Sequence, residues 1–162
     1  MFDLTGHGSR DFNITTIDGV PIADFNTVTI QVDSVTTSGA GSSVRLGLRL
    51  SEDGGSTWIN GATDYKMIQQ TYTGENLRDD SYFWIHVGTA TWNHMVIIDN
   101  LNAAMPTRAR AADVTPGHSN PIRFKGMNMN HPVEHNAFMM RVASSSGVVY
   151  FNGGTLEVVG YR

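Results

Sequence analysis

Apolar and polar residues alternate with a period of two along most of this chain. Across residues 43–51 the alternation puts Val44, Leu46, Leu48 and Leu50 on one face and Arg45 and Arg49 on the other, the pattern of a half-buried strand. Residues 25–35 set Val28, Ile30 and Val32 against Thr27, Thr29 and Gln31. Further strands are predicted over residues 11–17, 65–72, 82–87, 91–99, 122–127 and 138–143. The segment 82–87 is apolar on both faces, which predicts a central strand or one at a subunit interface. Over 91–99, Met95 and Ile97 share one face and Val96 and Ile98 the other. Residues 148–151 and 155–161, joined by Asn152-Gly153-Gly154, predict a closing hairpin. Residues 100–121, with Pro106, Pro116, Gly117 and Pro121, predict a long irregular loop of the kind that reaches a partner. Helical periodicity is nearly absent. The expected fold is all-β, an antiparallel sandwich of nine to eleven strands. It is read as jelly-roll-like first and immunoglobulin-like second. Residues 25–162 form the sandwich domain, and residues 1–24 an N-terminal arm with the first strand.

Composition narrows the function. A chain of 162 residues suits one domain, able to bury roughly 70% of its unfolded surface without a metal or crosslink. The absence of cysteine excludes disulfides, thiolate zinc sites and thiol catalysis. Net charge is −4 and only 16% of residues are charged. No basic tract offers a surface to nucleic-acid phosphates. No apolar run approaches the roughly 18 residues of a membrane-spanning helix, so no membrane partner is expected. The segment 1–7 has neither a basic start nor an apolar core, so no secretory signal is expected there.

One motif stands out. Ser51, Asp53, Gly55, Thr57 and Trp58 fall at the spacing of the sialidase Asp-box, which the segment 51–58 resembles. That resemblance implies a structural turn away from any active site. Its short polar side chains bond local backbone, and glycine reverses the chain because it tolerates positive φ. Strand 43–51, the turn and Trp58 are read as one hairpin. A single copy in a short chain leaves no room for a sialidase propeller.

Other candidates for chemistry are weaker. His131 and His135 stand four apart, but Pro132 and the asparagines around them argue for a loop over a zinc-binding helix. His86 and His94 fall in predicted strands and could face each other across a hairpin. Asp79-Asp80 and Glu52-Asp53 are adjacent pairs, which point apart in extended chain. Asn13-Ile14-Thr15 matches a glycosylation sequon. No catalytic residue, metal ligand or cofactor is expected, and the chain is read as no enzyme. Trp84, Trp92, Tyr150 and Phe151 are candidates for contact with a partner subunit or a glycan.

Several segments resemble a group of tailed-bacteriophage virion proteins. They are 48–58 with Asp64-Tyr65, the run Val96-Ile97-Ile98-Asp99-Asn100-Leu101-Asn102, and Phe138-Met139-Met140-Arg141-Val142 with 144–147 and 154–161. The likeness spans most of the chain beyond residue 25. It implies a β-sandwich subunit on the exterior of a phage particle, a capsid decoration or head-fibre protein assembled as a homotrimer. The implied partners are further copies, the major capsid protein or other virion proteins. The alternative is a tail or baseplate adhesion module that binds host glycan.

Overall fold

The alternating stripes fold as two antiparallel sheets packed on a shared core. The computed structural model describes residues 1–39, 44–71, 74–87, 91–102, 106–113, 125–129 and 133–162. Among them are fourteen strands and one 3-10 turn, Ile22–Asp24. In chain order they are β1 (Phe2–Asp3), β2 (Asp11–Ile14), β3 (Thr16–Ile17), β4 (Val20–Pro21), β5 (Thr27–Gly39), β6 (Val44–Ser51) and β7 (Tyr65–Thr71). Then follow β8 (Gly74–Asp80), β9 (Phe83–Val87), β10 (Trp92–Asp99), β11 (Arg108–Asp113), β12 (Lys125–Met129), β13 (Ala137–Ser144) and β14 (Val149–Tyr161). One sheet has eight strands in the order β1-β14-β5-β10-β11-β12-β7-β8, the other four in the order β2-β13-β6-β9, and β3 and β4 form a separate small hairpin. The result is a β-sandwich.

Alternation decides which side chains fill it. Val28, Ile30 and Val32 of β5 and Val96 and Ile98 of β10 point inward from the larger sheet. Leu46, Leu48 and Leu50 of β6 and Phe138, Met140 and Val142 of β13 point inward from the smaller one. Each of these side chains is worth about 1.5–3 kcal/mol when fully buried, so burial fixes the register.

Several expectations are corrected. Residues 1–24 are not an arm reaching outward: β1 pairs with β14, β2 pairs with β13, and Leu4, Ile14, Ile17 and Ile22 lie in the core. These short strands raise the count above eleven. β8 went unpredicted because its sequence, Gly-Glu-Asn-Leu-Arg-Asp-Asp, has no apolar alternation, and its pairing with β7 supplies the order. β11 lies inside the expected loop, where Ala109 and Ala111 give too small an apolar signal to read.

The closing hairpin does not form either. Both halves of β14 pair with the same strand, β5, through register shifts at Phe151/Gly153 and Gly153/Thr155. Asn152-Gly153-Gly154 is therefore an irregularity within one long strand, where extra residues kink the ladder without reversing it. β5 answers with its own distortion at Ser34 (φ 52°), whose amide donates to Asn93 Oδ1 at 2.8 Å. The turn after β6 is not a hairpin turn, because β6 pairs with β13 and β9 while β7 belongs to the other sheet. It is the corner by which the chain changes sheets. β9 is an edge strand, not a central one.

Candidate functional site

The corner turn is held by its own short side chains. Ser51 Oγ donates to Asp53 Oδ1 at 2.8 Å and accepts from the Gly55 amide at 2.9 Å. Asp53 Oδ1 also accepts from the Thr57 amide at 2.8 Å, and its Oδ2 accepts from Thr57 Oγ1 at 2.7 Å. These bonds from Thr57 and then Ser51 pull the Asp53 pKa down to about 2. The Trp58 ring lies against Gly55, where a Cβ would stand 3.2 Å from Trp58 Cζ2. Asn136 clamps the turn from β13's side, accepting from the Gly54 amide at 2.7 Å and donating to the Glu52 carbonyl at 2.8 Å. Both carboxylate oxygens of Asp53 are thus engaged within the turn.

The histidines separate. His131 and Pro132 lie outside the described residues. His135 is buried beside Thr107, with Nδ1 at 2.7 Å from the Thr107 hydroxyl. That hydroxyl also donates to the Asn100 carbonyl at 3.1 Å. The His135 amide donates to the Leu101 carbonyl at 2.8 Å. This pair ties the end of β10 to the approach of β13. His94 is buried in β10 with Nδ1 at 3.3 Å from the Ala112 carbonyl. It cannot face His86 across a hairpin, because β9 and β10 belong to different sheets. Among the described residues no group of three or more His, Cys, Asp or Glu is placed to hold a metal.

Of the four aromatic contact candidates, three are buried and are corrected, Trp84 being 6% exposed beneath Tyr82 and Arg45. Trp92 and Phe151 are 1% and 0% exposed and belong to the core. Both occupy inward positions of long strands, and sequence alone does not tell which face of β10 or β14 turns inward. Tyr150 points outward and is 36% exposed. Trp84 lies on the outer face of the smaller sheet, almost covered by its neighbours.

Two outer faces then carry the distinctive surface chemistry. On the larger sheet, register aligns Val159, Thr29, Ile97 and Arg110 in one cross-strand row and Glu157, Gln31, Met95 and Ala112 in the next. Met95 and Val159 are 41% and 40% exposed. Met95, Ile97, Arg110, Ala111 and Ala112 line an open cavity of about 170 Å³. Arg110 is held at its rim by Asp99 at 2.8 Å.

On the smaller sheet, Asp11, Arg141, Gly47 and Trp84 share one cross-strand row. Gly47 matters for its missing side chain: a Cβ there would lie 2.9 Å from the Trp84 ring and 3.3 Å from Tyr82. The two rings stack with centroids 4.6 Å apart. The Arg49 guanidinium covers Tyr82 at 3.5 Å, and Arg45 covers Trp84 at 5.5 Å. The order is cation, ring, ring, cation. Arg141 donates to the Tyr82 hydroxyl at 2.8 Å and pairs with Asp11 at 3.1 Å. Trp84 Nε1 donates to Asp80 Oδ2 at 2.9 Å. Sequence reasoning placed Arg45 and Arg49 on the outer face but missed this cluster. Its partners come from four separate segments, and the only local signal was glycine at an outward strand position.

No family model matches the chain, and no curated protein matches it. Two solved structures of scytalido-glutamic peptidase, each with a transition-state analogue, are similar to 83% of this chain and 71% of theirs. Identities are 10% and 12%, with TM-scores of 0.33 and 0.32. Those structures are of an enzyme, and on that finding the expectation that this chain is no enzyme is corrected. At such a TM-score the likeness carries no argument for peptidase activity in its place.

Proposed function

We propose that this chain is a structural subunit of a tailed-phage particle, an exterior decoration or head-fibre protein that works by self-association through the outer face of its eight-stranded sheet. The observation that carries this reading is the strip of half-exposed apolar side chains of Met95, Ile97 and Val159 on one outer sheet face, with Thr29 between Ile97 and Val159. Exposed sheet faces of soluble domains are ordinarily polar, and an apolar one is a contact surface. Charge favours a second copy as its occupant. Arg108 stands on the β11 side of the strip, beside Arg110 with its own partner Asp99, and Glu157 on the β14 side. Copies meeting one margin to the opposite margin, as in a cyclic trimer, would pair these charges. The virion setting rests on the sequence likeness described above.

The test is the molar mass in solution. Light scattering on the intact chain at micromolar concentration is expected to give a trimer, with roughly 2,000 Å² or more buried in total if the assembly is obligate. Met95→Glu with Val159→Glu is expected to yield a folded monomer. A wild-type monomer, or an oligomer indifferent to both changes, overturns the reading. Labelling of purified particles tests the virion setting separately, and label confined to the tail tip would favour adhesion over decoration.

A further inference from the structure

The outer face of the four-stranded sheet gathers three arginines in one place. Arg45, Arg49 and Arg141 gather around one pair of stacked rings. Of the carboxylates beside them among the described residues, Asp11 pairs with Arg141, while Asp80 accepts from the Trp84 indole and the Ser81 amide. The chain as a whole is acidic, with a net charge of −4, so general charge balance does not account for three arginines here.

Each guanidinium offers five N–H donors in a planar fork. Arg49 gives its Nε–H to the Ser81 carbonyl at 3.1 Å, and Arg141 donates one N–H to the Tyr82 hydroxyl while its Nε stands 3.1 Å from Asp11 Oδ1 as an ion pair without a hydrogen bond. Arg45 Nε is buried with no hydrogen-bond partner among the described residues, its guanidinium resting over the Trp84 ring. Burial, the largest cause, pulls the Arg49 pKa below the ordinary guanidinium value, and the Arg141 charge adds to that pull. The arginines are also pre-positioned. Arg49 is pinned by a ring and a carbonyl, and Arg141 by a hydroxyl and a carboxylate, so little side-chain entropy is left to lose on binding. Asn13 is exposed in the same cross-strand row as Met139 and Arg49, and the Tyr82 hydroxyl, which accepts from Arg141, lies beside them.

We propose that this face binds an acidic saccharide, with one oxyanion group seated between Arg49 and Arg141 beside Tyr82 and Arg45 as a second point of attachment. Arginine forks suit carboxylate and phosphate oxygens alike, so the charged group is that of a uronic acid or of a phosphorylated sugar. Arg45 and Arg49 are four residues apart on one strand, roughly 13 Å, a spacing that one small anion cannot span and an extended chain can. Asp11 acts as an internal competitor for Arg141. The site points away from the face assigned to self-association and does not depend on that assignment.

Titration calorimetry on the intact chain tests this. The ligands are oligogalacturonate, phosphorylated maltohexaose and neutral maltohexaose, with a single-stranded oligonucleotide as a polyanion of another class. One acidic saccharide is expected to bind, which identifies the oxyanion source, and maltohexaose is not. Binding is expected to fall more than tenfold in Arg49→Gln and in Arg141→Gln, each with unchanged circular dichroism. Arg45→Gln is expected to weaken the polymer and leave monomeric galacturonate or inorganic phosphate unaffected. Asp11→Asn is expected to tighten binding, an outcome that a purely structural salt bridge would not give. Should an arginine variant fail to fold, the Asp11→Asn result and the ligand comparison decide. Equal binding of maltohexaose or the oligonucleotide, no binding of either acidic saccharide, or full affinity in the folded arginine variants overturns the proposal.

Discussion

The hydroxyl of Tyr65 accepts from the Leu50 amide at 2.9 Å and donates to the Ile59 carbonyl at 3.0 Å. One side chain of β7 thereby closes the corner that carries the chain from the four-stranded sheet to the eight-stranded one. Tyr65 is fully buried, and the Leu50 amide would otherwise lack this bond in a buried setting. Tyr65→Phe keeps the ring and removes the bridge. It is expected to lower stability by about 1–3 kcal/mol, the cost of stranding a buried donor, as read from urea denaturation. Burial raises the Tyr65 pKa above its ordinary value of 10.0. The unfolded chain therefore loses this proton first, so the stabilisation is complete below pH 10 and declines as pH rises beyond it. The alkaline decline is expected to shrink in Tyr65→Phe.

Asp53 has the opposite sign. Its folded pKa of about 2 lies below the ordinary 3.8 because Thr57 and Ser51 donate to the ionised carboxylate. Its contribution is present above pH 3.8 and is lost as pH falls toward 2. Acid titration followed by Trp58 fluorescence is expected to show the turn loosening in that window. Asp53→Asn is expected to abolish the step and leave any catalytic or binding readout unaltered.

Gly154 carries φ +91°, and a Cβ there would meet the Ser34 carbonyl and the Val35 Cα at 2.6 Å. Gly154→Ala is expected to cost about 1–3 kcal/mol through left-handed backbone strain, with a further loss from the clash. The drop in thermal midpoint measures it. Asn152→Ala, at an exposed position beside the same irregularity, is expected to change stability by no more than about 0.5 kcal/mol.

Trp92→Ala separates core from contact. With 1% of its surface exposed, the ring is expected to leave a cavity costing about 3–5 kcal/mol. Tyr150→Ala, on the outer face, is expected to change stability little. A Trp92→Ala variant of wild-type stability with impaired assembly would reverse that placement.

What the sequence determined by itself was the alternation. The stripes of Val28, Ile30 and Val32 and of Leu46, Leu48 and Leu50 fixed strands, their inward faces and a sandwich, because a period of two is a property of extended backbone and needs no partner to be read. The turn at 51–58 was legible as a turn for a related reason, since Ser51, Asp53 and Thr57 bond within a few residues of one another, but it was read as a hairpin and only the fold makes it a change of sheet. Pairing was decided only by the tertiary structure. Gly153-Gly154 reads locally as a reversal, but β5 offers hydrogen-bonding partners to both sides of it, and a continuous ladder satisfies more backbone than a turn. Trp84 and Trp92 look alike in sequence, and only packing sends one outward onto Gly47 and the other into the core. The arginine cluster is likewise assembled from β2, β6, β13 and the approach to β9, positions whose adjacency no spacing along the chain encodes.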